Sequence, residues 1–275
     1  MNPQSIALWC SIPLAIGVGV DSLELVADRA QLREGGLYGY TVLATGRPMT
    51  LWGPFAPVFG AVFRYPAVLG LALAQLCCAM LLLLAGVAHT PALIVPAGVA
   101  AALILLARML LYMRNQLGLD GSDQMMLVVC TGVAIALLVP DHGAQVLAID
   151  YMAAQLLLSY AVAGVAKAIS PSWRSGRAIT GILSTIGYGS PPVGAFLKRH
   201  SPLALAACWS VIVFECSAPL LILLGTPGAL AIIAVGLGFH VSIALLMGLN
   251  NFLWSFGATY PALLFLAHSV DTLWH

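Results

Sequence analysis

Apolar runs of about 20 residues alternate with polar connections from one end of the sequence to the other, at 6–27, 66–88, 91–112, 122–140, 146–168, 202–225, 227–247 and 250–269. At ~1.5 Å of rise per residue, each is long enough as a helix to cross a hydrocarbon core ~30 Å thick. The eight runs predict an all-α fold: a polytopic transmembrane helical bundle of eight spans, forming one domain over 1–275. Two connections are longer. The first, 28–65, carries GGLYGYTVLATGRPMTLWGPF, a mixture of glycine, proline and aromatics that places Tyr40 and Trp52 at headgroup level. In the fifth, 169–201, Ser170-Pro171-Ser172-Trp173 closes one helix and opens another, because proline fits a first helical turn but not an interior. AITGILSTIGYG follows it, apolar yet too short to span. Both connections therefore predict interfacial helices, together able to cap a site that opens toward the inner leaflet.

Composition agrees with the pattern. Apolar residues make up 61% of the 275 and charged residues 8%, too few to cover a soluble globule of this size. The lipid bilayer is thus the first expected partner. The start of the sequence has no basic segment, so the first run reads as a mature helix and not as a cleaved signal. The eleven Lys and Arg fall in or beside alternate connections: Arg29, Arg33, Arg47 and Arg64 around the first, Arg108 and Arg114 at the third, Lys167, Arg174, Arg177, Lys198 and Arg199 at the fifth. The positive-inside rule then puts these connections in the cytoplasm and both termini outside. Six cysteines lie within apolar runs without a CxxC or zinc spacing and read as small packing residues. DGSD lacks the rest of a calcium loop, so no metal is expected. No basic aromatic patch points to nucleic acid.

Lys167 stands inside the apolar segment YAVAGVAKAISPSWRSGRAI, where an ammonium at mid-membrane costs roughly 2.5–3.5 kcal/mol. Such a lysine either snorkels to the headgroups or is kept for chemistry. Ala161, Ala163, Gly164, Ala166 and Ala168 surround it and admit close neighbouring helices. Under the predicted topology Asp21, Glu24, Arg108, Asp120, Asp123, Lys167 and His240 gather at one depth, where intramembrane charges pair or line a wet cavity. Asp120 and Asp123 equally suit the start of a helix, and Trp173 and Arg174 read as interfacial anchors. Glu215 and Asp150 fall toward the outer side, Asp150 ~25 Å along a straight helix from Lys167. Burial favours a neutral amine at Lys167 and hence a base, while a nearby carboxylate opposes it.

AGVAK followed by SPSWRSGRAI resembles the HTTM (horizontally transferred transmembrane) domain, the membrane part of vitamin K-dependent gamma-carboxylase and of many bacterial relatives. RMLLYMRNQLGLDGSDQM and GFHVSIALLMGLNNFLWSFGATYPALL are similar to further segments of that family, the latter bringing in His240 and Phe252. The resemblance implies that Lys167 matches the second lysine of the family's Lys-Lys pair, the base that deprotonates vitamin K hydroquinone, with Ala166 in place of the first. Asp141-His142 loosely matches an Asn-His pair. On the predicted topology His142 stands ~37 Å from Lys167 along a straight helix, which favours an ordinary loop histidine.

The resemblance implies a reduced quinone of the vitamin K or menaquinol type as cofactor and a quinol-dependent, carboxylase-like enzyme acting on a peptide or small substrate. Lys167 and His240 are its expected catalytic residues, and Arg108, Asp120 and Asp123 its expected oxyanion or substrate contacts. The gamma-carboxylase's large lumenal domain has no counterpart here, so propeptide-tethered carboxylation is not expected. The alternative is a non-enzymatic membrane partner in maturation or export of a secreted peptide, resembling HTTM proteins of the sporulation-delaying type. A transporter is disfavoured, since no internal repeat or paired broken helices appear. The oligomeric state is left open.

Overall fold

The computed structural model describes residues 2–45, 53–115 and 119–274, and among these it is all-helical. Trp52 and Arg47 lie outside the described residues. Seven helices are long and apolar enough to cross a membrane: α1 (Pro3–Ala27), α4 (Ala67–Ala88), α5 (Pro91–Arg114), α6 (Gly121–Leu138), α7 (His142–Ile169), α11 (Ser201–Leu221, continued by a 3-10 turn to Leu224) and α12 (Thr226–Met247). Short helices fill the long connections, α2 (Tyr40–Ala44) and α3 (Ala56–Phe63) in the first, α8 (Pro171–Arg174), α9 (Arg177–Leu183) and α10 (Pro191–Arg199) in the fifth. Pro3, Pro91, Pro171, Pro191, Pro202 and Pro227 occupy the first or second position of their helices, where the missing N–H is not needed.

The last predicted run, 250–269, is not one helix. It is divided into α13 (Asn250–Gly257) and α14 (Tyr260–Trp274), each shorter than a span. Pro261 has no N–H to offer the Gly257 carbonyl, and its ring excludes that carbonyl from an unbroken ladder. The chain turns instead through Ala258 and Thr259, whose N–H groups reach Trp254 and Phe256.

Contacts group the chain into two compact units, Asn2–Ala148 and Ile149–His275. In the N-terminal unit, α1 packs on α4 and α6, and α5 packs on the same two helices, closing a four-helix ring. Small residues set the spacing. A Cβ on Gly86 would lie 2.7 Å from Ile12 of α1, and one on Gly98 would lie 2.6 Å from Leu138 of α6, so close backbone approach replaces the hydrophobic drive that lipid cannot supply. The first connection is pinned from α5. Buried Arg114 donates through Nε to the Phe63 carbonyl at 3.0 Å and through Nη2 to the Tyr38 carbonyl, under a cluster of Tyr40, Ala44 and Phe63.

In the C-terminal unit α11 takes contacts from α8, α9, α10 and α12, while α12 packs on α13 and α14. The α11–α12 turn passes through Gly225 at φ 66°, ψ −141°, a conformation open essentially only to glycine. Asp271 of α14 accepts there from the Thr226 N–H at 3.1 Å and the Thr226 hydroxyl at 2.5 Å. It occupies the space a Gly225 Cβ would need.

Candidate functional site

Gly164 decides how α7 meets α11. A Cβ there would lie 2.7 Å from the Cys216 nitrogen and 2.9 Å from the Glu215 carbonyl carbon, so only glycine lets the two backbones approach this closely. Three residues on, the same face of α7 carries Lys167, which donates to both oxygens of Glu215, at 2.9 and 2.8 Å. The Trp173 ring, delivered by the Ser170-Pro171 helix start, stands 5.2 Å from the ammonium on another side. The Glu215 side chain is 4% exposed and that of Lys167 20%. Glu215 lies ~21 Å along α11 from Ser201, so the last turn of α7 abuts the middle of α11 and not its end.

This overturns the expectation that Glu215 stands away from Lys167 toward the outer side. That reading assumed that neighbouring helix ends are level, and here they are not. Asp150, on the same unbroken α7, remains ~25 Å from Lys167 along the axis.

One turn before Gly164, the same face of α7 carries Tyr160, 2% exposed. Its hydroxyl hydrogen-bonds Nε2 of His240 on α12 at 2.9 Å. Phe214, the residue before Glu215, meets the Tyr160 ring edge-on at 5.0 Å, and Phe252 and Phe256 of α13 lie 6.2 and 4.5 Å from the His240 ring. Gly236 admits the tyrosine. A Cβ there would lie 2.9 Å from the hydroxyls of both Tyr160 and Tyr260. His240 is 1% exposed, and its Nδ1 has no hydrogen-bond partner among the described residues. The face Tyr160–Gly164–Lys167 thus carries two polar contacts side by side.

Arg108, Asp120 and Asp123, expected at one depth with Lys167, have their described partners within the N-terminal unit. Arg108 pairs through Nη2 with Asp21 of α1, and its Nη1 is 3.5 Å from the Tyr112 hydroxyl. That hydroxyl donates to Asp123 Oδ1 at 3.0 Å. Asp120 and Asp123 form the capping box of α6: Asp120 Oδ1 accepts from the Ser122 N–H at 2.8 Å, and Asp123 Oδ2 from the Asp120 N–H at 3.0 Å. They take the helix-start role that their sequence also allowed.

His142 is not a loop residue but the exposed first residue of α7, preceded by Asp141, whose Oδ2 accepts from the Ala144 N–H at 2.7 Å. Arg174 is exposed and presents its carbonyl to Trp209 Nε1 at 3.3 Å. Sequence reasoning missed Glu215, Tyr160 and Tyr112. The signal for Tyr160 was present, seven residues before Lys167 with Gly164 between them. For Glu215 none was, because its pairing depends on where α7 stops along α11.

Fold and polar contacts together define an all-helical, multi-pass integral membrane protein with ion pairs inside its helix packing. No family model matches this chain, and no curated protein or solved structure matches it either.

Proposed function

We propose that the chain is an HTTM-type membrane enzyme in which Lys167 and Glu215 together form the proton-accepting centre for a lipid-soluble reduced quinone of the vitamin K or menaquinol class. The observation that carries this reading is the two-pronged contact of one ammonium with one buried carboxylate beneath Trp173. Moving one proton within the pair, from Nζ to a Glu215 oxygen, yields a free amine and a neutral acid without changing the net charge of the site. An amine base thereby becomes accessible without an isolated buried charge. The residues present fit a group bearing an ionisable hydroxyl, since Nδ1 of His240 is a second buried polar atom with hydrogen-bonding capacity to spare. When bound, the quinol supplies that hydroxyl and the reducing electrons.

The free amine of Lys167 takes the quinol proton, Glu215 keeps the proton it received from Nζ, Trp173 shields the pair and His240, steadied by Tyr160, orients. Arg108, Asp120 and Asp123 are assigned to holding the N-terminal unit together. The orientation, with both termini outside a bacterial plasma membrane, and action on a peptide or small substrate belong to the same proposal.

A second reading has its own observation: Lys167 saturates both Glu215 oxygens, as a purely structural staple would. The chain would then be a non-enzymatic partner in maturation or export of a secreted peptide. Purified protein with reduced menaquinone or vitamin K separates the two. The enzyme reading expects quinol-dependent oxygen uptake that is lost in Lys167→Ala, in Lys167→Arg, whose guanidinium does not deprotonate, and in the swapped pair Lys167→Glu/Glu215→Lys. Uptake that persists in the Ala and Arg variants overturns the base. No uptake by the wild-type protein, with stability restored by the swap, establishes the staple.

A further inference from the structure

The fifth connection carries cations that the C-terminal unit does not neutralise. From 151 to 214 the sequence holds no Asp or Glu, yet Arg174, Arg177, Lys198 and Arg199 fall there, and all of them are exposed. Among the described residues the ion pairs are Arg64 with Glu34, Arg108 with Asp21 and Lys167 with Glu215, so none of these cations has a carboxylate partner. The remaining acids of the unit are engaged elsewhere. Asp150 is ~25 Å from Lys167 along α7, and Asp271 accepts from Thr226 at the far end of α11. The first connection differs, because Glu24, Asp28 and Glu34 accompany its arginines and Glu34 pairs with Arg64 at 3.7 Å.

The fold gathers the unpaired cations around one helix end. A Cβ on Gly176 would lie 2.9 Å from the Leu205 Cα, so Arg177 starts α9 against the second turn of α11. Arg174 presents its carbonyl to Trp209, one turn further along. Helix α10 folds back on α9, where a Cβ on Gly194 would lie 2.9 Å from the Leu183 carbonyl, and its Lys198 and Arg199 lead into the start of α11. With its 3-10 turn α11 has 24 residues, a length of ~36 Å against a hydrocarbon core of ~30 Å. Its first turn therefore reaches the headgroup layer. Apolar side chains are interleaved with the charges there. Phe196, three residues before Arg199 on one face of α10, is 50% exposed, and Ile186, between α9 and α10, is 98% exposed. A soluble polyanion would leave these two in water, whereas the boundary of headgroups and acyl chains takes both kinds of group at once.

We infer that α8, α9 and α10 form a binding surface for a phospholipid whose headgroup bears net negative charge. Arg177, Lys198 and Arg199 hold the headgroup, and Phe196 and Ile186 enter the acyl region. Lys167 and Glu215 take no part.

Full-length protein in phosphatidylcholine nanodiscs tests this with two photoactivatable lipids, a phosphatidylglycerol and a phosphatidylcholine carrying the same reactive group, and crosslinked peptides are mapped by mass spectrometry. Peptides covering 170–201 are expected to carry about five-fold or more of the phosphatidylglycerol probe, the effect of even one cation at the membrane surface. The two probes should mark the apolar middle of α12 equally. In Arg177→Gln/Lys198→Gln/Arg199→Gln the preference falls to near parity, and in Arg33→Gln/Arg64→Gln it is retained. A preference that survives the triple change overturns the proposal. Equal crosslinking in the wild-type protein overturns it too and leaves the cations to an acidic protein partner, and a preference abolished by excess inorganic phosphate at constant ionic strength overturns it in favour of a soluble phosphate. The wild-type comparison decides even where the triple variant misfolds.

Discussion

Lys167 and Glu215 are forty-eight positions apart in sequence, and both carboxylate oxygens lie within 2.9 Å of the one amine nitrogen. The pair ties the last turn of α7 to the middle of α11, and Gly164 one turn earlier makes the approach possible. Truncating Glu215 leaves an ammonium among packed apolar helices. Glu215→Ala is expected to destabilise the C-terminal unit by about 2–4 kcal/mol, and Lys167→Ala by a similar amount through the orphaned carboxylate. The double variant Lys167→Met/Glu215→Leu should recover most of the loss. Thermal unfolding of the four proteins in detergent checks this, and losses that simply add in the double variant would show that the two residues are not coupled.

The helices themselves were legible in the sequence, because lipid demands long apolar segments with every backbone group paired internally. Seven runs appear as single helices with ends within a few residues of those expected, and the eighth is broken where Pro261 withdraws a hydrogen-bond donor from Gly257. The candidate site was legible only in its anchors. Lys167 and His240 were marked by the cost of placing such groups in an apolar helix. Their partners were not marked, because pairing across helices depends on relative height and rotation. Depth counted from helix ends set Glu215 aside wrongly, yet it placed Arg108 level with Asp21, the α1 carboxylate with which it pairs.

Among the described residues Tyr160 supplies the one hydrogen bond to the ring of His240, inside a shell of Phe214, Phe252 and Phe256. Tyr160→Phe preserves the ring stacking and removes only the hydroxyl. The expected cost is about 1 kcal/mol, from a buried imidazole nitrogen left without its partner. His240→Phe in the same background should then cost little more, since the orphaned group is gone. Unfolding midpoints of the two single variants and the double variant measure the coupling. Independent, additive effects would contradict it.

Gly225 joins α11 to α12 at a positive φ, and Asp271 stands where its Cβ would be. Gly225→Ala therefore meets both backbone strain, of order 1–3 kcal/mol, and displacement of the carboxylate that accepts from Thr226. Asp271→Ala relieves the clash but loses the contact to Thr226. Combined with Gly225→Ala, it should cost less than the sum of the two single changes. Denaturation in detergent of the single and double variants tests that non-additivity, and strict additivity would refute the shared geometry.

Arg114 pins the first connection to the end of α5. Its guanidinium, 3% exposed as a residue, reaches the carbonyls of Tyr38 and Phe63 and the Asn115 side chain from the last turn of α5. A lysine offers three rotatable donors on a point charge and cannot reproduce this spread fork. Arg114→Lys is thus expected to loosen the segment around α2 and α3 while leaving the four-helix ring of α1, α4, α5 and α6 in place. Amide hydrogen exchange should rise by about ten-fold or more at residues 38–44 and 56–63, which corresponds to the loss of roughly 1.5 kcal/mol of local stability, with protection within α4 and α6 unchanged. Should exchange rise equally throughout the ring, Arg114 would be a determinant of the whole unit and not the pin of its first connection.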